Sequence, residues 1–201
     1  MRIDPQHLDR VQLYHLMIGS IVPRPIAFIS TIGEDGVYNL APFSYFMGIC
    51  PQPPTLCVSI GLRRGEKKDT VRNIEFSRDF VVNVVDEKLT QAMNIAAADF
   101  PSHVDEFKEA GLTATASDKV RSPRVVESPI SMECKLVDIQ KFGEPPASNS
   151  LVIGEVVQFH VNDDIYENGQ INMHKLKAIG RMGGGDFYCR TTDIFEMERP
   201  P

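Results

Sequence analysis

Apolar and polar positions fall in short blocks along most of this chain, and the blocks predict strands more often than helices. Two apolar runs, residues 26–32 and 37–43, flank the turn Gly33-Glu34-Asp35-Gly36, which predicts a β-hairpin. A polar and aromatic run follows at residues 39–46, then a proline-rich turn at Pro51, Pro53 and Pro54, and a third strand at residues 55–60. Residues 79–85, DFVVNVV, are β-branched at most positions and predict another strand. Asn83 interrupts it and must find a partner, as a satisfied core amide or as a ligand contact, the first being the commoner fate. Residues 131–142 and 150–161 predict two long strands, and Gly154 inside the second marks a bulge or a close backbone approach.

Helix is predicted in smaller amounts. Residues 6–16 suit a short helix, and residues 67–76 place Val71, Ile74 and Phe76 on one side of another. Residues 89–98 are rich in Ala, Met and Gln and stop before Pro101. Ser102 reads as a fresh N-cap for a helix that Gly111 ends, with a short strand at residues 112–117. Asn168-Gly169 predicts a tight turn, residues 174–179 a short strand or helix, and residues 180–188 a glycine-rich loop. No repeat, low-complexity block or linker interrupts residues 1–201, so a single domain is expected. Many short strands closed by turns fit an antiparallel barrel better than a βαβ fold.

Composition narrows the function classes. The 201 residues suffice for one substantial core, and 42% hydrophobic with 24% charged residues is ordinary for a soluble globular protein. A formal net charge of −6 argues against nucleic-acid binding, which relies on basic surface. No run approaches the ~18 apolar residues of a membrane span, and no signal-peptide pattern opens the chain, so a cytoplasmic protein is expected. Cys50, Cys57, Cys134 and Cys189 lack CxxC spacing and the five His residues are dispersed, so neither disulfides nor a metal site is expected.

Several familiar catalytic patterns are missing. The chain has no G-x-G-x-x-G after a strand, no P-loop and no G-x-S-x-G elbow, and no residue stands out as a nucleophile. What remains is an anion-friendly place: the strand at 55–60 feeds Gly61, then Arg63-Arg64-Gly65-Glu66-Lys67-Lys68-Asp69-Thr70 at a helix start. Backbone N–H groups and the helix dipole favour negative charge there. Read without a family, Lys68 and Thr70 would more commonly be an ordinary solvated helix start, and Arg24 between Pro23 and Pro25 is either a surface charge or a charge held beside a ligand by stiff backbone.

Arg24-Pro25, Asn39-Leu40-Ala41-Pro42-Phe43-Ser44, Pro53-Pro54, Lys68-Asp69-Thr70, Asp105-Glu106-Phe107 and Gly180-Arg181 occur in an order and spacing that resembles the flavin reductase-like family of FMN-binding split barrels, flavoredoxin-type proteins included. The resemblance implies a mainly β fold, a Greek-key split β-barrel with peripheral helices. It implies FMN as cofactor, NADH or NADPH as electron donor, a homodimer with FMN near the subunit interface, and an oxygenase or redox-protein partner. Residue by residue, it assigns the phosphate to Lys68 and Thr70 with Ser59 or the Gly61 backbone. It assigns the ring edge to Asn39, Leu40, Ala41, Pro42 and Ser44, and flanking positive charge to Arg24 and Arg181. The bound flavin would carry the redox chemistry, leaving the chain to hold and orient it. Two rivals stay open, a flavoredoxin-like electron carrier with no nicotinamide site and a non-catalytic barrel that binds another ligand or a partner protein.

Overall fold

The computed structural model describes residues 1–200, and its centre is a curled antiparallel sheet. The chain opens with a 3-10 turn at Pro5–His7 and α1 (Arg10–Ser20). The hairpin β1 (Ala27–Ile32) and β2 (Tyr38–Phe43) forms as the pattern predicts, with Gly36 supplying the positive φ its turn requires. Next come β3 (Phe46–Pro51), β4 (Pro54–Gly61), α2 (Asp69–Ser77) and β5 (Asp79–Val84). The short elements α3 (Thr90–Ala96), α4 (Glu106–Glu109), β6 (Ala114–Thr115) and β7 (Arg124–Val125) lead to the long strands β8 (Ile130–Phe142) and β9 (Asn149–Val161). Small hairpins close the chain: β10 (Tyr166–Glu167) with β11 (Gln170–Ile171), then, after α5 (Met173–Leu176), β12 (Ile179–Arg181) with β13 (Tyr188–Arg190).

The seven principal strands run in the order β2-β1-β5-β8-β9-β4-β3, all neighbours antiparallel. The sheet curls until Phe43 of β2 shares one core with Leu56, Val58 and Ile60 of β4, Phe80 and Val82 of β5 and Val152 of β9. Val71 and Ile74 of α2 drop into the same core, so the helix stops one end of the barrel. A second core, between the outer wall and helices α3 and α4, gathers Phe28, Leu40, Leu89, Met93 and Phe107. This is the split barrel with outside helices that the chain's patterning and family resemblance imply.

Two sequence readings gain their physical reason here. Asn83 is a satisfied core amide: Nδ2 donates to the Phe28 carbonyl (3.0 Å) and Ser30 Oγ (3.0 Å), while Oδ1 accepts from Val125 N–H (3.0 Å) and Ser131 Oγ (2.8 Å). Gly154 is a close approach, since a Cβ there would lie 2.5 Å from Cζ of Phe80.

Other expectations are corrected. Strand β3 occupies part of what the sequence presents as a connection; it is an edge strand whose residues are largely exposed, so no burial alternation marks it. Helix α1 begins at Arg10 and runs to Ser20, because Asp9 and Gln12 form a capping box (Gln12 N–H to Asp9 Oδ1, 2.8 Å). Asp105, not Ser102, caps α4, its carboxylate accepting from Phe107 N–H at 3.0 Å. The glycine-rich stretch is the turn between β12 and β13.

Candidate functional site

Strand β2 ends at Phe43, and the chain then passes through Ser44 into β3. Pro42, Phe43 and Ser44 line two adjoining cavities. One, of about 430 Å³, runs between α1 and β4 past Tyr45, Ser59, Gly61 and Asn149. The other, of about 180 Å³, is walled by Ile26, Met93, Arg181 and Tyr188. Together they make a cleft with Pro42-Phe43-Ser44 as its shared middle.

Polar groups are distributed along this cleft. Asn149 Nδ2 donates to Ser59 Oγ at 2.9 Å, in a register that pairs Gly61 with Asn149 across β4 and β9. The Arg181 guanidinium sits over the Tyr188 ring (4.5 Å to the centroid) and donates to the Gly185 carbonyl at 2.8 Å, so the β12–β13 turn holds it in place. Lys68 Nζ sits 5.3 Å from the centroid of the Phe43 ring, which puts the ammonium beside the middle of the cleft. Burial, reinforced by Arg63, lowers the Lys68 pKa from the usual lysine value. Lys68 is also the N-cap residue of α2, and no side chain caps the helix there. The phenol of Tyr45 is pushed above its ordinary pKa by burial and then by Tyr14.

The donor set fits a flat aromatic cofactor carrying an anion. A wall at Pro42-Phe43-Ser44, hydroxyls and a glycine at the strand end, a partly desolvated ammonium and a helix start without a side-chain cap are the parts such a ligand needs. The family model described as "Flavin reductase like domain" matches residues 18–177. The chain belongs to the flavin reductase-like family. Within that frame it is similar to the crystal structure of nitrilotriacetate monooxygenase component B from Bacillus cereus, at 38% identity and TM-score 0.94 over 98% of each chain. It is also similar to 2-nitrobenzoate 2-nitroreductase from Pseudomonas fluorescens, at 32% identity and TM-score 0.90 over 100% of this chain and 96% of that one. A Shewanella frigidimarina structure described as having a split barrel domain shares the fold at 22% identity and TM-score 0.84 over all of both chains.

The structure brings Pro42, Ser44, Ser59, Gly61 and Arg181 to the cleft wall and Lys68 beside it. Ala41 is half-buried and packs toward the barrel core, leaving only its backbone for any ligand. Four other assigned residues have their side chains engaged within the fold. The Asn39 side chain points away from the cleft: Nδ2 donates to Glu106 Oε1 (2.8 Å) and Oδ1 accepts from Thr70 Oγ1 (2.8 Å). The Leu40 side chain belongs to the outer core, and its N–H goes to Glu106 Oε2 at 3.1 Å. Thr70 is buried with its hydroxyl spent on Asn39, so only its backbone faces the helix start. Arg24, also buried, donates to the carbonyls of Ile18 (2.6 Å), Ile21 (2.9 Å) and Met182 (3.0 Å) and to Ser44 Oγ (3.3 Å). It ties α1 and the β12–β13 turn to the cleft through neutral acceptors, so its positive charge remains beside Ser44 and Tyr45.

Sequence reasoning missed Asn149 and Tyr188, and it gave Glu106 no role although the residue stands in the Asp105-Glu106-Phe107 run. Asn149 comes 90 residues after the serine it bonds, and nothing local distinguishes it. Glu106 carried a signal, as an acidic residue at a helix start, but that signal ordinarily means a solvated first turn.

Proposed function

We propose that this flavin reductase-like chain binds FMN in the cleft at Pro42-Phe43-Ser44 and acts as an NAD(P)H-dependent flavin reductase, supplying electrons to an oxygenase or redox-protein partner. The observation that carries the reading is the alignment of a backbone-lined apolar middle with Lys68 and the uncapped α2 start on one flank and Arg181 on another. FMN, when bound, would supply hydride acceptance and electron release; the chain supplies no nucleophile. Lys68, the α2 amides and the Ser59–Asn149 pair would hold the phosphate, the 42–44 backbone would line the ring edge, and Arg181 on Tyr188 would close the far wall. The similarity to a monooxygenase component B supports an oxygenase as the partner.

A homodimer is part of the proposal. The edge strand β3 exposes Met47 and Ile49, and α1 exposes Val11, Leu16, Tyr14 and Met17, the last two on the cleft rim. A second copy covering that face would complete the cleft wall.

Anaerobic titration tests the reductase reading. The protein loaded with FMN is mixed with NADH and, separately, with NADPH, and the visible flavin band is followed. Prompt bleaching by either is expected. A band that persists with both, yet bleaches with dithionite, would refute the reductase and leave the flavoredoxin-like carrier; failure to bind FMN would refute both.

A further inference from the structure

Glu106 is almost fully buried, at 8% exposure, on the short helix α4 outside the barrel. Its two carboxylate oxygens are each used: Oε2 accepts from the backbone N–H of Leu40 and Oε1 from the Asn39 amide. β2 is an edge strand, so an amide turned away from β1 has no ladder partner, and Glu106 takes the place of one. Leu40 lies two residues before Pro42, where the cleft-lining run begins.

The polarity of these contacts has a consequence at the other end of the site. An ionised carboxylate can only accept. Asn39 must therefore present its NH₂ to Glu106 and its oxygen to α2. That oxygen takes the Thr70 hydroxyl at 2.8 Å and the Thr31 hydroxyl at 3.3 Å, and Thr31 Oγ1 in turn accepts from Asn73 Nδ2 at 3.0 Å. The hydroxyl proton of Thr70, second residue of α2, is thus committed inward for as long as Glu106 is charged.

We infer that Glu106 is a positioning residue for the flavin cleft: by accepting from both Leu40 and Asn39 it fixes the direction of one hydrogen-bond chain that locks the ring-side strand to the phosphate-side helix start. The inference rests on the proposed flavin site. It goes beyond it in making the two ends of that site one unit governed by a carboxylate that touches no ligand. A neutral acid or a glutamine at this position would present a donor to one of two donors, so Asn39 would have to turn over and the Thr70 hydroxyl would be released.

Burial raises the Glu106 pKa despite the hydrogen bonds from Leu40 and Asn39, which oppose it, and Asp69 of α2 adds to the rise. Asp69 is itself paired with Arg63 and Arg72, and on α4's own side Asp105 faces Lys108. α3, packed against α4, brings no charge, and β2 brings only the Tyr38 phenol. The hydrogen-bond chain is therefore expected to reverse on acidification, with its midpoint displaced upward from the usual glutamate value.

The test compares wild type with Glu106→Gln, which imitates the neutral acid. Backbone amide NMR of the flavin-free protein, followed on acidification from about pH 7.5 through the ordinary carboxylate range, is expected to show Leu40 and Thr70 shifting together with one midpoint in wild type, and neither shifting in the variant. Riboflavin, which has no phosphate to titrate, is expected to bind wild type several-fold more weakly at the acid end, as measured by fluorescence quenching. Glu106→Gln is expected to bind at that weaker level at every pH. Thr70→Val cuts the chain at its far end: the Leu40 shift should survive and the shift at position 70 should vanish, which keeps the inference testable if the glutamine variant does not fold. Independent midpoints at Leu40 and Thr70, or a glutamine variant with the wild-type pH profile, would overturn it. Protein that binds neither flavin while the two amides still titrate together would sink the flavin site and leave the hydrogen-bond chain standing.

Discussion

Replacing Lys68 by Met tests the proposed FMN phosphate contact apart from the proposed ring contacts. Lys68 has two structural roles at the cleft. Its ammonium stands 5.3 Å from the Phe43 ring centroid, and its carbonyl accepts from Val71 N–H at 3.0 Å at the start of α2. Methionine keeps the backbone and most of the side-chain volume and removes the charge. A hydrogen bond from a charged group is worth about 1.5–3 kcal/mol, so FMN affinity should fall roughly 10- to 150-fold. Riboflavin loses only whatever the cation–π contact contributed to holding Phe43, about 0.5–1 kcal/mol, or a factor of roughly 2 to 5. The assay is fluorescence quenching of the two flavins titrated side by side at one salt concentration. A second handle comes from pH: burial, then Arg63, lowers the Lys68 pKa, so FMN affinity should decline on raising the pH before the ordinary lysine range is reached, and the Met variant should lack that decline. Equal losses for FMN and riboflavin would refute the assignment of Lys68 to the phosphate.

Three further outcomes follow from the packing. Gly154→Ala puts a Cβ 2.5 Å from Phe80 Cζ and 3.2 Å from Cys134 Cβ in a closed core. It should cost about 1–3 kcal/mol in urea unfolding, and Phe80→Leu in the same chain should recover part of that loss. Arg24→Met removes four donated hydrogen bonds from a buried guanidinium, with a cost on the order of 3 kcal/mol. Limited proteolysis should then cut first near residues 18–23 and 182–187, and cuts elsewhere would count against the clamp. Glu133 is fully buried; burial alone would raise its pKa, but N–H donors from Asp118 and Lys119 and the His160 ring outweigh that and hold it below the usual carboxylate value. Its contribution is present above the ordinary carboxylate range and lost as the pH falls through the depressed value, so Glu133→Gln should flatten the acid limb of a stability-against-pH curve.

Local chemistry made a large part of this molecule readable. The β1–β2 hairpin, β4, β5, β8, β9 and α2 stand within a few residues of where alternation, β-branched runs and turn residues place them. Such elements are set by periods of two and 3.6 residues, which the order of residues carries. The 42–44 run and Lys68 were picked out by the family resemblance, since residue type alone favours an ordinary strand end and a solvated helix start there. Exposure erased the signal for β3, since an edge strand with little buried on either face has no alternation to read.

Tertiary structure decided where side chains point. Asn39, Thr70 and Arg24 were assigned through the family resemblance, and each is turned inward to a partner no local pattern names: Glu106 on α4, the Asn39 oxygen, and the carbonyls of Ile18, Ile21 and Met182. The physical reason is that a buried polar group must be paired by whatever the fold brings to it. Curling of the sheet brings α4 over the open edge of β2 and Asn149 against Ser59, across 90 residues of chain. The order of residues determined the principal elements and marked residues 42–44 and 61–70 as candidates for a ligand site. Only the folded chain decided which of those residues remain free to meet a ligand and which are spent in holding the others still.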